Sequence, residues 1–318
     1  MRVVFMGSPE FAVPSLRALA ARHDVALVVS QPDKPAGRGN KLAPPPVKEA
    51  AEELRLRIVQ PRSARTGELR DALVATGAEL AVVVAYGKIL PPAVLEALPR
   101  GCINVHGSIL PRYRGAAPVQ WAVIHGETET GVTIMQLDEG MDTGPTLLER
   151  RVAIDPDETA GELLTRLGPI GAVVLLEALD GLAAGTLRAV SQDHARATHA
   201  PMLTKADGAI DFAQPARAVA ARIRGVDPWP GAYAALGAQP VKLFRARADD
   251  AGAGRAPGTV VGIDAAGARV ACGEGSVVIR ELQAAGRKRM TAAQFAAGRG
   301  ISVGDVLAVP PAEPPGSP

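Results

Sequence analysis

The stretch "RVVFMGSPEFAVPSLRALAARHDVALVVSQ", residues 2–31, decides the fold. It opens on one apolar run, RVVFMG, and closes on another, VALVVSQ. Between them FAVPSLRALAAR carries apolar residues three or four apart among good helix formers. Runs this continuous in Val, Leu and Ala belong to strands buried on both faces. The sheet they start is therefore expected to be parallel, with helices on both sides.

The alternation continues outward. ELAVVVAYG (79–87) and CINVHG (102–107) read as further strands, and VKEAAEELR, TGELRDALVATG and PAVLEAL as helices. Two more strands, TGVTIMQL (130–137) and TLLERRVAI (146–154), precede a helix over about 159–181. Residues 1–181 thus read as a doubly wound, mostly parallel, Rossmann-like α/β domain. From 205 the pattern changes. One amphipathic helix, PARAVAARIRG (215–225), is followed by short strands with turn signals at close spacing, which suggests a small barrel or sandwich; an OB-like β-barrel is expected over 205–309. Residues 182–204 are expected to link the two, and the Pro-rich tail 310–318 to be disordered.

Composition sets limits. Of 318 residues 47 % are apolar and 21 % charged, as in ordinary globular proteins. No apolar run is expected to span a bilayer, which takes ~20 residues. MRVVFMG reads as a first strand, not a signal peptide. Two cysteines, each in an apolar segment, exclude a disulfide framework and a cysteine metal cluster and fit a reducing cytoplasm. The formal net charge is only +2. Residues 201–318, however, hold 14 Lys and Arg against 10 Asp and Glu, a surplus of four. That surplus reads as a surface for a polyanion or as an ordinary solvated face.

In CINVHG, Asn104 and His106 stand two apart, so they share one face of the strand where it ends. Ligands of open α/β sheets bind at the carboxyl ends of strands. An amide can donate to a developing oxyanion and an imidazole can move a proton, though the same pair also suits a structural hydrogen bond. QLDEGMDTGP (136–145) brings Asp138, Glu139 and Asp142; an aspartate there could orient the imidazole or simply form a turn. The glycine after the first strand lacks G-x-G-x-x-G or P-loop spacing, so no nucleotide cofactor is expected. No H-E-x-x-H or Cys/His spacing supports a metal site. Ser108 lacks a nucleophile elbow. The segment 30–48 has five prolines, two glycines and four basic residues against one acid. Its Arg38, between two glycines, can meet a phosphate or base edge, or the segment is a solvated loop.

These residues carry a resemblance. CINVHGSILPRYRGAAPVQWAVIHGETETGVTIMQLDEGMDTG (102–144) resembles the core of the formyltetrahydrofolate-dependent formyltransferases. QPDKPAGRGNKL (31–42), VVVAYGKILP (82–91), DPWPGAY (227–233) and PVKLFRA (240–246) extend the likeness from residue 1 to about 309. Ile109 stands where the family usually has Leu, and Asp227 where it usually has Asn. The resemblance implies a catalytic trio of Asn104, His106 and Asp142. It implies folate contacts from Ser108, Ile109, Leu110 and Pro111, from Lys88, Ile89 and Leu90, and from the backbone around Asp138 and Gly140. The co-substrate would be 10-formyltetrahydrofolate, with neither metal nor nucleotide. The basic loop and the basic second domain favour initiator methionyl-tRNA as acceptor, in the cytoplasm, over a small amine such as a nucleotide sugar or glycinamide ribonucleotide. Lys34, Arg38 and Lys41 would then meet the acceptor end, and Arg222, Arg245, Arg287 and Lys288 the tRNA body. A monomer with no membrane partner is expected.

Overall fold

The computed structural model describes residues 1–36, 41–250 and 254–310. Its chain forms two compact units: residues 1–118, 129–153 and 164–201 make the first, and residues 119–128, 154–163 and the chain from 202 the second. The expected tail from Pro311 onward lies outside the described residues.

The elements follow the apolar runs closely. They are β1 (Arg2–Gly7), α1 (Val13–Arg22), β2 (Asp24–Val29), β3 (Lys34–Ala36), β4 (Lys41–Ala43), α2 (Pro46–Glu53), β5 (Ile58–Val59), α3 (Gly67–Val74), β6 (Leu80–Val84), α4 (Pro92–Leu95), β7 (Cys102–His106), α5 (Pro118–Ile124), β8 (Glu129–Gln136), β9 (Thr146–Ala153) and α6 (Ala160–Ala184). The first sheet runs β5-β2-β1-β6-β7-β8-β9. Strands β5, β2, β1, β6 and β7 are mutually parallel. The chain leaves β1 toward β2 and returns on its other side at β6, so strand order reverses there, where such sheets bind ligands. Val3, Val4, Phe5 and Met6 are fully buried, as strands covered on both faces must be.

The sheet is mostly parallel, as the apolar runs led us to expect; at one edge β8 lies antiparallel to β7, and β9 antiparallel to β8. Segment 30–48 is not structureless, because β3 and β4 pair in an antiparallel hairpin within it. Helix α6 packs on one face of the first sheet: a Cβ at Gly171 would come within 3.1 Å of Val105. The opposite face is filled by an apolar cluster that includes Met6, Val83, Tyr86, Leu90, Val94, Leu98 and Cys102. By length and composition α6 could cross a membrane, which inspection of the apolar runs did not anticipate. Leu163, Leu167, Val174, Leu175 and Leu179 are fully buried, as in a core helix.

In the second unit α7 (Ala216–Gly225) precedes β10 (Ala232–Leu236), β11 (Gln239–Asp249), β12 (Val260–Asp264), β13 (Gly267–Ala271), β14 (Ser276–Ala284), β15 (Met290–Thr291), α8 (Ala292–Ala297) and β16 (Leu307–Ala308). The sheet runs β12-β13-β14-β11-β10-β16, antiparallel throughout. It curls until its ends meet at one bridge, Thr259 to Val306, beside Val260 N–H donating to Asp305 O at 2.8 Å. Val260, Val270, Val277, Ile279 and Leu282 are fully buried.

Candidate functional site

Strand β7 ends the parallel part of the sheet and presents Asn104 and His106 on one face, with Val105 turned to α6. His106 is only 4 % exposed. Its Nε2 lies 2.9 Å from the Tyr113 carbonyl, which can only accept, so Nε2 carries the proton and Nδ1 the lone pair. Nδ1 faces Asp142 Oδ2 at 3.6 Å. That is too long for a hydrogen bond, but it is close enough for the carboxylate to stabilise an imidazolium if Nδ1 takes a proton. Asn104 is half-buried, and its amide has no hydrogen-bond partner among the described residues.

Asp142 reaches this face by an indirect route. Because β8 is antiparallel to β7, Leu137 N–H bonds to Cys102 O, at the beginning of β7. The loop after β8 therefore starts at the wrong end of β7 and must run back along the Asn104–His106 face. Asp142 itself has φ +53°, uncommon outside glycine. Its carboxylate accepts the Gly115 N–H at 2.8 Å. Gly115 has φ +121°, and a Cβ there would stand 2.6 Å from Ala200 O. Gly115→Ala is expected to lower unfolding free energy by about 1–3 kcal/mol and to free the Asp142 carboxylate. Denaturant unfolding measures the first effect, and a cost near zero would show that the close approach is relieved elsewhere.

The 108–111 loop is pinned at both ends. Thr133 Oγ donates to Ser108 O at 2.7 Å and accepts from Leu110 N at 3.2 Å, while Ser108 Oγ donates to Arg112 O at 2.7 Å. Ser108 and Leu110 are buried, so Ile109, Pro111 and the backbone are what this loop offers outward. In segment 82–91, Ile89 is 74 % exposed and Leu90 buried. Lys88 Nζ donates to Pro61 O at 2.7 Å and Arg62 O at 2.8 Å. Partial burial and the nearby Lys34 charge lower its affinity for a proton. Lys88 and Ile89 border a hollow of about 270 Å³ with Arg62, Ser63, Ala64 and Arg65. Asp138 is engaged within its own loop, accepting from Gly140 N at 3.1 Å and Thr143 Oγ at 2.7 Å. Both bonds use Oδ1 of an exposed carboxylate, so Oδ2 and the backbone are what this residue still offers. A hollow of about 710 Å³ in the second unit is lined by His125, Asp207, Asp211, Arg217 and Arg222 among others, and by none of the trio. Among the described residues no cluster of three or more His, Cys, Asp or Glu could share a metal ion.

The basic residues divide sharply. Arg38 lies outside the described residues, as does the side chain of Lys41; Lys34 is exposed and donates to Gln31 Oε1 at 2.6 Å. Arg222 stacks over Trp121 at 5.5 Å and lies 3.7 Å from Asp207. Arg245 grips Glu162 with two bonds, of 2.6 and 3.0 Å. Arg217, Arg247 and Arg289 pair with Asp250, Asp157 and Glu281. Arg224 is half-buried, with one nitrogen donating to Ala246 O at 3.0 Å. Lys242, Arg287 and Lys288 stay exposed, with no side-chain partner among the described residues.

The Arg245 guanidinium, with the Thr159 bonds, holds Glu162 down to about 2. A carboxyl depressed on folding contributes stability above its unfolded value of ~4.3, and that stability is lost as pH falls toward 2. Both side chains are over a third exposed, so the effect is modest. Glu162→Gln is expected to flatten the acid limb of stability between those values; an unchanged limb would mean the pair is screened out.

Sequence reasoning passed over Tyr113, Gly115, Thr133 and Gln192, which hold the site through backbone, hydroxyl or amide groups. Only the glycine in RYRG left a visible signal.

Comparison with known proteins adds names to this geometry. The Formyl transferase family matches residues 1–179, and the Formyl transferase, C-terminal domain family residues 202–300. The Desulfotalea psychrophila methionyl-tRNA formyltransferase is 49 % identical over 308 residues, 96 % of this chain and 95 % of that one. The Sorangium cellulosum methionyl-tRNA formyltransferase is 50 % identical over 311 residues, 96 % of this chain and 99 % of that one. Among solved structures the fold is similar to WlaRD, a sugar 3N-formyl transferase crystallised in the presence of dTDP and 5-N-Formyl-THF. The TM-score is 0.68 at 16 % identity, covering 91 % of this chain and 99 % of that one.

Proposed function

Because the chain belongs to the formyl transferase family, we propose that it moves the formyl group of 10-formyltetrahydrofolate onto the α-amino group of methionyl initiator tRNA, for translation initiation. The observation that carries the chemistry is the convergence of three polar side chains from β7 and the loop after β8: a free amide, an imidazole with its Nδ1 lone pair available, and a carboxylate 3.6 Å from it.

The substrate amine attacks the formyl carbon and makes a tetrahedral oxyanion. The Asn104 N–H donates to that oxygen from a half-buried site. The amine must then lose a proton and the departing folate nitrogen must gain one. His106 relays it, and Asp142 stabilises the charge while the imidazole is doubly protonated. Tyr113 O holds the ring in place throughout. No covalent intermediate with the enzyme is required.

Folate is read as lying against Ile109 and Pro111, the hollow beside Lys88 and Ile89, and the backbone near Gly140. Ile89 is the cleanest probe, because Leu110 is buried and an acid there would unfold the loop. Ile89→Asp is expected to raise KM for 10-formyltetrahydrofolate ~10-fold, with Tm and tRNA binding near wild type. A folate KM unchanged by that charge would place the co-substrate elsewhere. The tRNA body is assigned to the second domain, over about 205–309, through Lys242, Arg287 and Lys288, exposed cations without a side-chain partner among the described residues. Lys34 and the neighbouring basic loop are assigned to the aminoacyl end. A single chain acting in the cytoplasm fits this substrate. Initial rates with initiator methionyl-tRNA and with an amino nucleotide sugar test the assignment; a higher kcat/KM for the sugar would overturn it.

A further inference from the structure

Gln192 has no part in the chemistry just described, yet it has the most completely used side chain near it. It comes from the segment 182–204 that the sequence suggested as a linker, and it is 8 % exposed. An amide side chain offers two N–H groups and one oxygen with two lone pairs. All four are engaged. Oε1 accepts from Arg114 Nε at 3.1 Å and Arg114 Nη2 at 2.7 Å. Nε2 donates to Asp142 O at 2.9 Å and Gly144 O at 2.6 Å. Arg114 is itself 5 % exposed and also reaches His194 Nδ1 at 3.1 Å.

We infer that Gln192 is a positioning residue that sets the Asp142 carboxylate against His106. This rests on the trio proposed above. Asp142 is held at both ends. Its carboxylate takes the Gly115 N–H at 2.8 Å, and its carbonyl takes the Gln192 amide. Both holds trace back to adjacent residues, because Gln192 is clamped by Arg114 and the other donor is Gly115. Such restraint suits Asp142, whose φ of +53° is uncommon for a non-glycine residue. The loop also arrives from the far end of β7, with no strand pairing to fix its middle. Gln192 supplies what a ladder would have supplied, and only a side chain that both accepts from a guanidinium and donates to two carbonyls can do so. Glutamate accepts but does not donate; methionine does neither.

That difference separates positioning from simple stability. Gln192→Glu would form an ion pair with Arg114 and turn a carboxylate toward the Asp142 and Gly144 carbonyls. Its Tm is expected to stay at or above wild type while kcat falls ~10- to 10²-fold, the loss that follows when a reacting group is displaced by about 1 Å. KM for 10-formyltetrahydrofolate and for methionyl-tRNA should stay within about threefold, because Gln192 is buried with its polar atoms already engaged. Gln192→Ala should lose kcat similarly with a lowered Tm. Wild-type kcat in Gln192→Glu, or a kcat loss matched by an equal loss of folded protein, would overturn the inference. Asp142→Ala, assayed alongside, tells which reading failed. If it keeps full activity, the trio itself is wrong; if it is inactive while Gln192→Glu is not, only the positioning role is.

Discussion

Asn104→Ala is expected to lower kcat by ~10²- to 10³-fold, the usual loss for one oxyanion donor. The amide is half-buried and bonded to no described residue, so its removal strands no partner and should leave Tm near wild type. KM for either substrate should change little, because the interaction forms only as charge develops on the formyl oxygen. His106→Ala and Asp142→Ala should be comparably severe. His106→Ala is the less clean variant, since it also leaves the Tyr113 carbonyl without its donor. Residues that act as a unit are not additive, so Asn104→Ala combined with Asp142→Ala should cost far less than the product of the two losses. Full additivity in that double variant would argue against a shared transition state.

The second large effect concerns tRNA. Replacing Lys242, Arg287 and Lys288 together by alanine is expected to raise KM for methionyl-tRNA by ~10- to 10²-fold and leave kcat and the folate KM unchanged. Every phosphate that a cation neutralises sheds somewhat under one counterion, so the slope of log affinity against log salt should flatten by ~2 to 3 units when three cations are removed. Arg217→Ala provides the contrast. Arg217 is paired with Asp250, so its loss should move the salt slope much less. Equal flattening per cation in both variants would mean that ion pairing in the free protein does not decide which cations meet tRNA.

Much of this architecture could be read from the residues. The parallel core announced itself because strands buried on both faces must be continuously apolar, as in RVVFMG and LAVVV, and the intervening helices repeat every three or four residues. Asn104 and His106 were legible because two polar residues at period two interrupt such a strand where a ligand site is expected. The antiparallel β8 and β9 were not, since TGVTIMQL mixes polar with apolar residues yet is buried over most of its length, so its pattern does not tell its direction. That one hidden fact decides how Asp142 arrives, by a loop folded back along β7 and tied down by Gln192 and Gly115. The charge reading had a different limit. Counting Lys and Arg located the basic half of the chain, but Arg217, Arg245, Arg247 and Arg289 meet acids elsewhere in the sequence, and which cations stay exposed without such a partner could be told only from their neighbours in space.

The central claim is that Asn104, His106 and Asp142 pass a formyl group to the amine of initiator methionyl-tRNA. Mass spectrometry of charged initiator tRNA after a single turnover with 10-formyltetrahydrofolate tests it most directly, using the native protein and Asn104→Ala in parallel. The native protein should add one formyl group to the methionyl amine, with elongator methionyl-tRNA left unmodified and Asn104→Ala slowed by at least ~10²-fold. No mass gain on the initiator species, or the same gain at the same rate from Asn104→Ala, would contradict it.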